Sequence, residues 1–222
     1  MIMVHTLESD GIYFKRGGRV ILAGVHIRCE TGKITGLLGR NGHGKSTLIE
    51  IIYGSLTAGS QSVRLDGRPA GQLFLQKGAV SYLTQFHFIP ASFSPERIFR
   101  DFELDYDPFV SQFPEFRTKY KQPLCGFSGG QRRLIEIYTC LKANVKFVLM
   151  DEPFSHLSPL MAEQVQELIR EEKKHKGILL TDHLHRNVTG MADEIYLLSE
   201  GYTSVISSRE ELVTAGYLPL QD

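Results

Sequence analysis

The chain has 222 residues and a mass of 25.0 kDa, a size typical of one large domain. Hydrophobic residues make up 42% and charged residues 23% of the sequence, which is an ordinary globular composition and argues against disorder. The 25 Lys and Arg residues balance the 25 Asp and Glu residues. Because nucleic-acid-binding proteins usually carry a basic excess, we expect no nucleic-acid partner.

The N-terminal part of the sequence predicts strands followed by a glycine-rich loop and a helix. Apolar and polar residues alternate over residues 25–29, which indicates a half-buried strand, and residues 34–38 form the next apolar segment. Residues 39–44 are rich in glycine, and residues 45–53 show helical spacing of apolar side chains before Gly54, a typical C-cap. A hairpin arm and a further strand are predicted at 63–65 and 79–83.

Residues 86–126 differ in composition from the segments around them. They are rich in Phe and Pro and lack the alternation of apolar and polar residues that indicates strands. Ser94-Pro95 and Asp107-Pro108 are predicted helix starts, so this stretch is interpreted as a small helical lobe inserted into the larger unit, residues 1–85 and 127–222. Its aromatic residues could form the core of the lobe or an exposed coupling groove: Phe86, Phe88, Phe93, Phe99 and Phe102.

The rest of the chain alternates helices and strands. Helices are predicted at 129–143 and from Ser158-Pro159 to Gly177, and a possible capping box at Ser208 and Glu211. Strands are predicted at 147–150, 177–180, 195–198 and 203–206. Residues 171–176, a run of mixed charge, are predicted to be a solvated helix end. The order predicts an α/β fold with a largely parallel sheet and antiparallel strands at its N-terminal side.

The glycine-rich loop fits the pattern G-x-x-x-x-G-K-[ST] between a predicted strand and a predicted helix. Glycines let consecutive backbone N–H groups turn towards phosphate oxygens, and the helix N-terminus adds partial positive charge. Lys45 is expected to reach the β- and γ-phosphates, and the Ser46 hydroxyl to bind Mg²⁺. The predicted phosphate-binding residues are Gly39, Arg40, Asn41, Gly42, His43, Gly44, Lys45, Ser46 and Thr47. At His43 we expect backbone rather than imidazole chemistry.

A second site element follows the apolar run 147–150. A buried strand delivers its C-terminal residue to the ligand-binding edge of an α/β sheet, so Asp151 is expected to hold Mg²⁺. Glu152 is expected to orient or deprotonate an attacking water.

These motifs, with Phe127 and the Ser128, Gly129, Gly130 and Gln131 that follow it, resemble the nucleotide-binding domain of ABC ATPases over nearly the whole chain, 1–222. The resemblance implies a P-loop NTPase core, ATP and Mg²⁺ as cofactors, and ATP hydrolysis. FSGGQ resembles the family signature LSGGQ, which implies a head-to-tail dimer in which this motif completes the partner's ATP site. Gln85 resembles the Q-loop glutamine that contacts Mg²⁺ or water, and His183 resembles the switch histidine that contacts the γ-phosphate.

Two positions depart from the family pattern. Arg16 stands where an aromatic usually stacks on adenine, so the stacking residue is expected to be Arg16, Tyr13 or Phe14. Ser158 replaces the usual Asp of the D-loop, which could weaken communication across the dimer, although Ser158 also reads as a simple N-cap.

The leading hypothesis from the sequence is the energy-coupling subunit of an ABC transporter, nearest the branched-chain amino-acid or lipopolysaccharide-export type. No apolar run approaches the roughly 18 residues needed to cross a bilayer, and no signal peptide is recognised, so we expect a cytoplasmic protein held at the inner face of the membrane by a separate integral membrane permease. The chain is expected to form a homodimer or to pair with a related ATPase. The alternatives are a soluble ABC ATPase that acts on a macromolecular partner, and a nucleotide-binding regulator without turnover.

Overall fold

A computed structural model describes residues 3–219; the first two and last three residues of the predicted domain, 1–2 and 220–222, lie outside the described residues. The strands are β1 Thr6–Arg16, β2 Arg19–Glu30, β3 Ile34–Leu38, β4 Ser60–Leu65, β5 Arg68–Pro69, β6 Val80–Leu83, β7 Phe147–Asp151, β8 Gly177–Thr181, β9 Glu194–Ser199 and β10 Tyr202–Ile206. The helices are α1 Lys45–Tyr53, α2 Pro95–Asp101, α3 Tyr106–Gln112, α4 Gly129–Lys142, α5 Pro159–Glu172, α6 His185–Thr189 and α7 Arg209–Thr214.

The strands form two sheets. The antiparallel sheet has the order β2-β1-β4-β5, and the larger sheet has the order β10-β9-β3-β8-β7-β6, in which only the β10–β9 pair is antiparallel. This arrangement confirms the predicted α/β class with antiparallel strands at the N-terminal side.

The larger sheet is covered on both faces. Alternate side chains along a strand point to opposite faces: Met150 belongs to one buried cluster and Leu149 to the other, and the same division holds for Leu180 and Leu179 on β8. All residues of β3, β7 and β8 are buried. The central strands therefore form a rigid base, and the loops after their carboxyl ends lie at one common edge.

Several local expectations need correction. Helix α3 begins at Tyr106, not at Asp107-Pro108, because the side chain of Asp105 accepts a hydrogen bond from the Asp107 N–H and caps it. Helix α5 ends at Glu172, not at Gly177, because Gly177 pairs with Phe147 as the first residue of β8. The short helix α6 was not predicted from the sequence.

The expected capping box at helix α7 forms only in part. The Ser208 hydroxyl accepts from the Glu211 N–H, but the Glu211 carboxylate accepts from the N–H of Ser207 rather than from that of Ser208.

The charge run 171–176 is not entirely solvated. Glu172 is buried and pairs with Lys176, four residues on, at 2.9 Å, and with Lys142 of α4 at 2.7 Å. Lys176 also donates to the Leu141 carbonyl. This cluster links the C-terminal ends of α4 and α5, so the prediction of a solvated end was wrong for these two residues.

The aromatic residues of the segment 86–126 differ in burial. Phe99 is 1% exposed and packs against Phe109 of α3 and Tyr138 of α4, whereas Phe86 is 78% exposed. The segment is thus anchored on α4 by an aromatic core, and the residues next to Gln85 face solvent.

Candidate nucleotide-binding site

The candidate site forms where four neighbouring parallel strands end. The order β3-β8-β7-β6 places the loop after β3 and the residues following the other three strands at one edge of the sheet. Loops at the carboxyl ends of parallel strands are the usual ligand-binding region of open α/β sheets. A cleft of about 470 Å³ lies at this edge. It is lined by Arg16, Ile21, Asn41, Gly42, Gly44, Lys45, Ser46, Thr47, Gln85, Glu152 and His183.

The phosphate loop runs from the end of β3 into α1. Gly44 has φ of 100°, and a Cβ there would lie 2.7 Å from the Ile21 side chain, so the loop requires glycine at this position. The Lys45 ammonium is buried beneath the loop and donates to the Gly39 carbonyl at 2.7 Å. Burial lowers the pKa of Lys45, and the carboxylates of Glu152, Asp151 and Asp182 oppose that shift. A cation is thus held at the start of a helix, an arrangement suited to phosphate.

The predicted loop residues do not all face the cleft. The Arg40 side chain turns away and donates to the Gly216 carbonyl at 2.7 Å, and within residues 3–219 the side chain of His43 is not part of the cleft lining. Gly39 contributes the carbonyl that holds Lys45. The predicted loop residues Asn41, Gly42, Ser46 and Thr47 line the cleft together with Gly44 and Lys45.

Asp151 lies at the end of β7 and is 1% exposed. Its Oδ1 atom accepts from the Thr181 hydroxyl at 2.9 Å, and its Oδ2 atom is buried without a hydrogen-bond partner among the described residues. A buried carboxylate oxygen with no donor suits a cation. No cluster of three or more His, Cys, Asp or Glu residues within 3–219 could hold a metal by itself. A Mg²⁺ ion here would therefore need oxygens from Ser46 and from phosphate as well.

Glu152 is the central carboxylate of the site. It is 5% exposed and has φ of 51°, an uncommon conformation for a residue with a side chain. Its Oε2 atom accepts from Gln85 Nε2 at 3.0 Å and lies 2.5 Å from His183 Nε2. The structure thus brings Glu152, Gln85 and His183 together beside the phosphate loop.

A residue of the phosphate loop, Asn41, also holds the His183 side chain. Its Nδ1 atom lies 2.9 Å from the Asn41 Oδ1 atom, and the neighbouring Asp182 carboxylate accepts from the Leu184 N–H and from Asn187. Burial raises the pKa of Asp182, and these hydrogen bonds oppose the shift. The role of Asn41 as a partner of His183 had no sequence signal, because the two residues lie in separate loops.

The three residues that could stack on adenine differ in whether they line the cleft. Arg16 lies at the cleft, with its guanidinium 5.9 Å from the Phe14 ring centre, whereas Tyr13 and Phe14 are not part of the cleft lining within residues 3–219.

The signature motif begins helix α4, away from this cleft. Ser128 and Gln131 form a reciprocal capping box, with the Ser128 hydroxyl accepting from the Gln131 N–H and the Gln131 side chain accepting from the Ser128 N–H, both at 3.2 Å. Gly129 has open space where a Cβ would lie, and Gly130 packs closely on the His156 carbonyl. Within residues 3–219 none of these four residues lines the cleft.

Sequence reasoning missed Arg133, which is 1% exposed and contacts the backbone behind Asp151 and Glu152. A signal was present: Arg133, Ile137 and Cys140 share one side of α4, so a charged residue interrupts an apolar stripe.

The fold and the cleft together define an ATP-binding P-loop protein of the ABC type. The family model described as ABC transporter matches residues 22–155, more than half of the chain. The chain therefore belongs to the ABC transporter ATP-binding family, whose members hydrolyse ATP. A protein of Azorhizobium caulinodans named "Probable ABC transporter ATP-binding protein" is 30% identical, with 95% of this chain and 80% of that protein covered.

Two similar relatives carry more specific names. The lipopolysaccharide export system ATP-binding protein LptB of Escherichia coli K12 is 28% identical, with 89% of this chain and 88% of that protein covered. The high-affinity branched-chain amino acid transport ATP-binding protein BraG of Pseudomonas aeruginosa is 29% identical, with 88% and 89% covered. The resemblance to these two types is confirmed.

A solved structure of the ATP-binding subunit of an ABC transporter superposes with a TM-score of 0.82 at 21% identity, covering 96% of this chain and 95% of that one. At this identity the likeness shows the fold.

Proposed function

We propose that this chain is the energy-coupling subunit of a transporter, which binds Mg²⁺-ATP, dimerises, and drives a separate integral membrane permease by hydrolysing ATP. The convergence of Gln85 and His183 on one carboxylate oxygen of Glu152 beside the phosphate loop carries the proposal. Since a nucleotide-binding regulator needs no such arrangement, this geometry favours turnover.

The residues divide the chemistry between them. The loop amides, Lys45 and the start of α1 bind the phosphates; Ser46, Gln85 and Asp151 would hold Mg²⁺, which neutralises charge on the phosphates when bound. Glu152 orients and deprotonates the attacking water, since it is the carboxylate that faces the cleft. His183, which is held by Asn41, contacts the γ-phosphate and keeps Glu152 in place.

The signature motif supports the head-to-tail dimer. Gly129 and Gly130 begin α4 directly after its N-cap Ser128, and the N-terminus of a helix suits phosphate, yet these residues do not line the cleft of their own chain. In the proposed dimer they complete the ATP site of the partner, either a second copy or a related ATPase.

Exposed aromatic residues close to Gln85 support the proposal that this surface binds the permease. Phe86 is 78% exposed and Phe88 37% exposed, and both lie at the start of the segment 86–126. Apolar side chains exposed in this way mark interaction sites. No helix within residues 3–219 is long and apolar enough to span a membrane. We propose that the protein is held at the inner face of the membrane by its permease.

The proposal is tested by trapping the Glu152→Gln variant with ATP in native membranes, solubilising in mild detergent and identifying co-purifying proteins by mass spectrometry. We expect a polytopic membrane protein, and we expect Phe86→Asp to lose it. Leu160→Asp is the matched control, because Leu160 is 67% exposed but lies on α5. Capture of ribosomal, DNA-associated or purely soluble proteins would instead support the macromolecular alternative.

A further inference from the structure

Arg133 is a fully buried cation whose hydrogen bonds all go to backbone carbonyls. Its Nη2 atom donates to the carbonyls of Asp151 and Glu152, both at 2.9 Å. Its Nη1 atom donates to the Thr84 carbonyl at 2.7 Å, and its Nε atom to the Pro153 carbonyl at 3.4 Å. One guanidinium therefore joins helix α4 to the two segments that carry Gln85 and Glu152.

The backbone that carries these carbonyls includes Glu152, whose conformation requires stabilising contacts. Glu152 adopts φ of 51°, and such a conformation persists only where surrounding contacts impose it. The Glu152 N–H is held by the Thr181 carbonyl at 3.0 Å, and the Glu152 carbonyl is held by Arg133. Arg133 thus fixes one of the two peptide groups that determine how the Glu152 side chain enters the cleft.

Among the described residues, the Arg133 guanidinium forms no ion pair of good geometry. Its Nη1 atom lies 3.8 Å from the Glu136 carboxylate, and that carboxylate accepts hydrogen bonds from the N–H groups of Phe88 and Ile89. Burial lowers the pKa of Arg133, and the nearby carboxylates oppose this, yet an arginine stays charged in proteins. A planar fork with five N–H donors spread over three nitrogens reaches these four carbonyls in fixed directions, whereas a lysine ammonium has three donors on a single nitrogen.

We propose that Arg133 is a positioning residue for ATP hydrolysis: by bonding the carbonyls of residues 84 and 151–153, it holds Gln85 and Glu152 in the geometry that activates water. The proposal rests on the proposed role of Glu152 as the base. Arg133 does not line the cleft, so it affects turnover and not the binding of phosphate.

The test uses the full-length protein with Arg133→Lys and Arg133→Gln, and measures kcat, KM, nucleotide affinity without Mg²⁺, and thermal unfolding. We expect kcat to fall about 10- to 100-fold in both variants, because misplacement of a reacting group by about 1 Å costs that much. KM and nucleotide affinity should change less than threefold. The matched control is Arg132→Gln, because Arg132 donates only to the Ile89 carbonyl among the described residues; it should keep the wild-type kcat.

Three outcomes would overturn the proposal. The first is a kcat within twofold of wild type in Arg133→Lys. The second is a parallel loss of kcat and nucleotide affinity, which would show a general structural role. The third is a loss that follows the unfolded fraction at the assay temperature. Glu152→Gln is assayed alongside: if it keeps turnover, the assigned base is wrong, whereas a failure confined to the Arg133 variants leaves that assignment intact.

Discussion

The Nε2 atom of His183 lies 2.5 Å from the Oε2 atom of Glu152, although the two residues follow different strands. The contact exists because β8 and β7 are parallel neighbours, with Thr181 opposite Asp151 at their ends. Asn41 of the phosphate loop holds the other ring nitrogen of His183. The histidine therefore connects the predicted phosphate-binding loop to the carboxylate that we propose acts on water.

We expect His183→Ala to lower kcat about 100-fold, because Glu152 would lose a contact that holds it, and misplacement of a reacting group by about 1 Å costs about that much. ATP affinity should change little, since Lys45 and the loop amides are intact. Steady-state phosphate release and nucleotide titration measure the two quantities. His185→Ala is the control, because His185 lies on α6 and lines a different cavity; an equal loss of kcat there would show that the effect is not specific to His183.

Arg16 and Tyr13 give distinguishable expectations for adenine binding. Arg16 lines the cleft, so Arg16→Ala should weaken ATP binding about 2- to 30-fold, the range for loss of a stacked cation. Tyr13→Ala should weaken it less. Equilibrium titration of both variants with ATP and with triphosphate alone measures the adenine contribution; a larger loss in Tyr13→Ala would assign the stacking role to Tyr13.

The contiguous parts of the site could be predicted from sequence, and the contacts between separate segments could not. The phosphate loop is a local motif that its own spacing predicts, and the Asp151-Glu152 pair is predicted from the apolar run before it together with that loop upstream. The hydrogen bonds of Arg133 to residues 84 and 151–153 depend on how α4 packs on the sheet edge. No spacing rule encodes that packing.

The same reasoning explains the errors in the fold. Helix α6 has five residues and is too short to show a period. The burial of Glu172 depends on Lys142, which lies on another helix, so the local charge pattern gave no sign of it.

Gly130 is required by a close approach of two segments. A Cβ at Gly130 would lie 2.8 Å from the His156 carbonyl, whereas a Cβ at Gly129 would meet nothing within 4 Å. We therefore expect Gly130→Ala to lower the free energy of unfolding by about 1–3 kcal/mol, the usual cost of overpacking. Gly129→Ala should be near neutral in chemical denaturation. Equal stability of the two variants would mean that the segment of His156 moves aside without cost.

Glu172 should make stability depend on pH. Burial raises the pKa of its carboxyl, but the hydrogen bonds and charges of Lys142 and Lys176 outweigh that effect and hold the pKa below its usual 4.5. A carboxyl with a lowered pKa stabilises the fold above pH 4.5, and this contribution is lost as the pH falls through the folded-state pKa. Glu172→Gln should therefore cost about 1–3 kcal/mol at pH 7, the range for hydrogen bonds to a charged group, and progressively less below pH 4.5. Urea denaturation across this pH range measures the difference, with Glu167→Gln, an exposed residue of the same helix, as the control. A cost at Glu172 that does not change with pH would show that packing, and not the charge, accounts for the contribution of this side chain.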